Sequence, residues 1–137
     1  MEIQLFSRNF SKAEAEIVAA QKAKQIKTFE EGELISLAAN ILLVAKVRLG
    51  YKCQDSNEEK ALISFIASDL NDYQGLTEAE ILLAVKRGCN GEYDGQKVFF
   101  SISAFNQWIK RFIEQKNEVM KEVAKKVKEE PKPAGIY

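Results

Sequence analysis

Residues 33–50 read ELISLAANILLVAKVRLG. Leu34, Leu37, Ala38, Ile41, Leu42, Ala45 and Leu49 recur at three- and four-residue intervals, which is the period of a helix and not of a strand. Ile35 and Val44 put apolar side chains on the remaining faces. A helix that is apolar nearly all round is predicted to be central, with the other elements packed about it. The longest apolar run, Leu34 to Ala45, is too short to span a bilayer and contains Asn40. It reads as a buried helix, closed by Gly50, where a left-handed residue suits a helix C-terminus.

Helices are expected on both sides of it. Ser11 with Glu14, Thr28 with Glu31, Ser56 with Glu59 and Thr77 with Glu80 all fit the pattern in which a hydroxyl caps a helix and a glutamate reaches back to the cap amide. Gly50, Gly75 and Gly88 are read as stop signals. Helices are predicted near 12–27, 29–49, 57–73, 78–87 and 102–130. The fold class is therefore all-α, about five helices around the apolar second one. Ala15, Val18, Ala19, Ala23 and Ile26 mark the inner face of the first helix, and Leu62, Phe65, Ile66, Leu70 and Tyr73 that of the third. Phe105, Trp108, Ile109, Phe112 and Ile113 form a dense aromatic face on the last. Asp94-Gly95 lies between short apolar and aromatic runs, so a β-hairpin near 92–100 and a plain loop both fit.

The last helix changes character after Lys116. Val119, Met120, Val123 and Val127 form a thin stripe, with seven lysines and glutamates from Lys121 to Glu130. A continuous helix over 102–130 would be on the order of 45 Å long. Residues 1–116 are therefore expected to be one domain, with 117–137 as the projecting end of the last helix and a loose tail. The stripe suits a partner's groove or a second copy, so Val119, Met120, Val123 and Val127 are the predicted partner-binding residues.

The 137 residues carry 20 basic and 20 acidic side chains, no histidine and 2 cysteines. Without histidine there is no Ser-His or Cys-His pair and no ordinary zinc site. No stretch has the glycine–lysine spacing of a P-loop. No cofactor or metal is expected, and the chain reads as non-enzymatic. Asp69 and Asp72 share a face, which reads as a solvated acidic patch. The cysteines lack CxxC spacing, and the N-terminus has no basic region followed by an apolar run, so a cytoplasmic protein with reduced thiols is expected. Residues 101–137 carry 8 basic and 5 acidic side chains. Any weak nucleic-acid contact is therefore expected at Lys97, Lys110, Arg111 and Lys116. A helix-turn-helix about Gln74-Gly75-Leu76 would present Glu78 and Glu80 to phosphates, which opposes that reading.

Between Leu62 and Phe112 the chain contains FIASDL (65–70), LTEAEILLAVKRGCNGEY (76–93) and FSISAFNQWIKRF (100–112). In these segments it resembles small helical replication-associated proteins of phages and mobile elements, of the type found in Bacteroidota. More loosely it is similar to the phage helicase loader and inhibitor family. The resemblance implies a helical, non-enzymatic accessory protein of DNA replication that binds a protein partner such as the replicative helicase. It carries over no functional residue. The composition leaves two other classes open: a nonspecific nucleic-acid binder using the basic last helix, and a virion or interaction protein that self-associates through helical faces.

Overall fold

A computed structural model describes residues 11–93 and 98–129, without the side chains of 127 and 129. The chain is all-α. Among the described residues five helices follow in order: α1 (Lys12–Ala20), α2 (Glu31–Leu49), α3 (Ser56–Leu70), α4 (Glu78–Cys89) and α5 (Ile102–Glu129). Short 3-10 turns, Ile26–Thr28 and Asn71–Tyr73, connect them. No helix among the described residues is long and apolar enough to cross a membrane.

Helix α2 packs against α3 and α4, α5 runs across α4 and touches α1 and α3, and α1 closes on α4 and α5. Leu37, Ala38, Ile41, Leu42 and Ala45 of α2 meet Ile66, Leu70, Ile81, Ala84, Val85, Phe105, Trp108 and Phe112 in one core. The predicted hub is thus where the sequence puts it, but it is not enclosed. Leu43 and Val47 stay 56% and 76% exposed, because neighbours cover only one side of α2.

Two of the four predicted caps form as read. Ser11 and Glu14 exchange both hydrogen bonds at the start of α1. Thr77 and Glu80 do the same at the start of α4, fully buried. The other two shift. Asp55, not Ser56, caps α3 and accepts from the Glu58 amide at 2.9 Å. A carboxylate there is favoured by the helix dipole as well as by the hydrogen bond. Thr28 does not begin α2 because it belongs to a 3-10 turn, where its hydroxyl donates to the Gln25 carbonyl. That turn is fixed from outside: Ile26 N–H donates to Leu76 O, Lys27 N–H to Gln74 O, and Glu78 N–H to Lys24 O. This crossing of the α1–α2 and α3–α4 connections also ends α1 at Ala20, well before the predicted residue 27.

Gly50 is left-handed, φ 68°, and terminates α2 as expected. Gly88 serves another purpose. It lies inside α4, which runs on to Cys89, and its missing side chain lets the Trp108 ring lie against the helix backbone. Gly91, φ 81°, makes the left-handed turn that follows. No strand flanks the loop at 92–93 or 98–100, and the proposed hairpin turn at 94–97 lies outside the described residues.

Candidate interaction surface

The apolar stripe at the far end of α5 is largely used inside the fold. Val119 packs against the core cluster. Met120 is half-buried, and its sulfur accepts a hydrogen bond from Gln21 Nε2 at 2.9 Å. Val123 is only 6% exposed. The side chain of Val127 and the tail from 130 on lie outside the described residues. Up to Val123, then, the apolar side of α5 is covered, and the helix does not project as a free apolar rod from residue 117.

Buried polar contacts explain why α5 stays down. The Arg87 guanidinium is 3% exposed and donates to the Ala13 carbonyl at 2.8 Å, to Glu16 at 3.3 Å and to Gln115 at 3.0 Å. One side chain on α4 thus binds both α1 and α5. Arginine suits this position because its planar fork satisfies several acceptors at once. Tyr93 donates to the same Gln115 oxygen at 2.7 Å. Two turns earlier on α4, Glu80 is 1% exposed. Its Oε1 accepts from the Thr77 amide, and its Oε2 has the Lys116 ammonium at 2.7 Å. That ammonium sits off the hydrogen-bonding direction, so the contact acts as an ion pair. A third tie joins α3 to α5: Asn106 Nδ2 donates to Asp69 at 2.9 Å, and the Tyr73 hydroxyl donates to Asn106 Oδ1.

These contacts redistribute the basic residues singled out by sequence. Lys116 faces Glu80. Lys97 lies outside the described residues. Lys110 and Arg111 remain exposed and line a shallow pocket with Tyr93 and Gln107. Of the two glutamates that a helix-turn-helix would present to phosphates, Glu80 is buried and engaged within the protein and Glu78 is half-buried.

Burial pushes the Tyr93 hydroxyl up from 10.0 to about 12, with Arg87 partly offsetting and Glu92 adding to the effect. Burial likewise raises Tyr51 and Tyr73. A tyrosine whose folded value lies above its unfolded one favours the fold fully at lower pH. That contribution is lost as pH climbs from about 10 through about 12. Alkaline titration followed by ultraviolet difference absorbance is therefore expected to show late-ionising tyrosine, with stability falling across the same interval. Replacing Tyr93 with phenylalanine should remove the latest part of the absorbance change. Burial also raises the Cys89 thiol, outweighing nearby Arg48, so this cysteine has the character of a packed apolar group.

The open apolar surface lies on α2 and α3. Ile35, Leu43 and Val47 on α2 and Phe65 on α3 are four of the five large exposed hydrophobics among the described residues; Phe99 is the fifth. A cleft of about 670 Å³, which only Ile35 of these lines, runs between the start of α2 and α3. Leu34, Ile35, Ile63 and Ala67 line it, with Glu31 and Lys60 among its polar members. An ion pair between Lys46 and Glu59 ties the two helices together. Sequence reasoning missed this surface because it assigned every apolar residue of α2 to the core. The available signal was spacing: residues 35, 39, 43 and 47 form their own i+4 row, distinct from the core row 34, 37, 38, 41 and 45.

The described residues contain no group of three or more side chains suited to holding a metal ion. Fold and surface together define an all-α protein, with five helices among the described residues, a well-tied core and one apolar side open. No protein-family model, curated protein or solved structure shows a significant similarity to the chain.

Proposed function

We propose that this chain is a non-enzymatic accessory protein of DNA replication in a phage or mobile element, acting by protein–protein interaction in the manner of a helicase loader or regulator. The observation that carries the interaction reading is the cleft between α2 and α3, lined by Leu34, the exposed Ile35, Ile63 and Ala67, on two helices that also expose Leu43, Val47 and Phe65. Contiguous apolar surface on a folded domain is characteristic of recognition sites. The cleft has the shape and lining that accept the apolar face of a helix from a partner. The replication assignment comes from the resemblance carried by residues 62–112, and the replicative helicase is the partner it suggests.

The cleft can be filled without disturbing the core, because Ser64 and Ser68 line it and are exposed. Capture of the host's replicative helicase by the purified chain is expected to fall at least roughly tenfold in the Ser64→Arg, Ser68→Arg double variant. Capture should be unchanged by Lys110→Glu with Arg111→Glu. No capture by the unaltered protein, or full capture by the arginine variant, would overturn the reading.

A second reading rests on Lys110 and Arg111, two exposed cations beside Tyr93 and Gln107. If they hold phosphates, DNA affinity should fall steeply with added salt and disappear in the double glutamate variant. The absence of binding at low salt would remove it.

A further inference from the structure

We propose that α2 is also a self-association helix, whose outer row receives the same row of a second copy in antiparallel orientation. The row runs Ile35, Ala39, Leu43, Val47. Ile35, Leu43 and Val47 are exposed at 46%, 56% and 76% in a helix whose opposite face is fully buried. Residues four apart form a continuous ridge, and interlocking of such ridges is a common way for two helices to pack.

Three features select a second copy and fix its direction. The first is size. A two-fold axis between Ala39 and Leu43 sets Leu43 of each chain over the small Ala39 of the other, and sets Ile35 against Val47. Knob thus meets gap at the centre of the ridge, with an apolar pair at either end, and the patch is self-complementary as an isologous interface requires. The second is charge. The N-terminal end carries Glu30 and Glu31, both exposed, and the C-terminal end carries exposed Arg48 and Lys52. Antiparallel pairing brings each acidic end to a basic end, since the symmetric counterpart of Glu31 is position 51, next to Lys52. Parallel pairing would set like charges together. The third is the helix dipole, which favours the same antiparallel arrangement.

Self-association and the cleft share Ile35 and Glu31 but can be tested apart. Leu43 and Val47 do not line the cleft, and Ser64 and Ser68 are not on the ridge. The inference also stands independently of the replication reading.

Light scattering and sedimentation equilibrium on the full chain test it. At high concentration the expected mass is twice the 15.5 kDa of one chain. Leu43→Glu with Val47→Glu should weaken association by roughly 100-fold or more. Its circular dichroism should be unchanged, since both side chains face outward. Glu31→Lys alone should weaken association, and adding Lys52→Glu to it should restore it. A mass of one chain at every concentration would overturn the proposal and leave the ridge to a different protein. A dimer that survives the double glutamate substitution, or one indifferent to the charge exchange, would overturn it equally.

Discussion

Replacing Gly88 with alanine should lower stability by about 2–4 kcal/mol, although alanine is the better helix former. A Cβ at this position would lie 2.1 Å from Cδ2 and 2.4 Å from Cγ of Trp108. Both are far inside any tolerable carbon–carbon approach. The indole cannot retreat: it is fully buried and packs beside Phe100, their ring centroids 6.3 Å apart. Either α4 and α5 must separate, or the ring must leave its position. Helix propensity offsets only about 1 kcal/mol, and overpacking in a rigid core usually costs 1–3 kcal/mol or more. The clash therefore wins. Thermal unfolding followed by circular dichroism should show a midpoint depressed by about 10 °C. Gly32→Ala is the matched control. That glycine also lies in a helix, but a Cβ there meets nothing within 4 Å, so the same substitution should stabilise by about 0.5–1 kcal/mol. Opposite signs for one chemical change would separate propensity from packing.

Lys116→Met should cost about 3 kcal/mol, more than the removal of an exposed lysine, which is usually worth under 1 kcal/mol. The Lys116 side chain is 22% exposed, but its partner Glu80 is 1% exposed and would be left in the interior without its cation. Adding Glu80→Gln to that variant should recover part of the loss. The amide preserves the cap on the Thr77 amide and is neutral, so the double variant should be more stable than Lys116→Met alone. Urea unfolding of the wild type, both single variants and the double variant forms the cycle that isolates the coupling. A double-variant loss equal to the sum of the two single losses would mean that the pair contributes nothing.

The same two sites mark where the sequence was legible and where it was not. Helix count and order follow from local signals: apolar periodicity, and acids and hydroxyls at helix starts. Ser11, Thr77 and Gly50 act locally and were readable for that reason. Thr28 was not, because its turn is held by backbone of residues 74–76, some fifty positions away along the chain. Gly88 looks like a stop signal in one dimension. Only the approach of Trp108, twenty positions later, shows it to be a contact surface. The interaction surface suffered most. An apolar stripe in sequence states that something covers it, without saying whether that is the protein's own chain or a partner. Val119 and Val123 of the α5 stripe are covered from within, while Leu43 and Val47 of the supposed core helix are left open. Lys116 and Arg111 look alike in sequence, yet one neutralises a buried glutamate and the other lies at the surface.

The central claim is that α5 lies against the body of the protein as far as Val123, which leaves the open apolar surface to α2 and α3. Amide hydrogen exchange along α5, read at peptide resolution in the isolated full-length chain, tests it most directly. Amides at 115–123 are expected to exchange as slowly as those at 105–112, as one cooperative unit with the core. Exchange at 115–123 faster than at 105–112 by orders of magnitude would mean a free helical end, and would contradict the account.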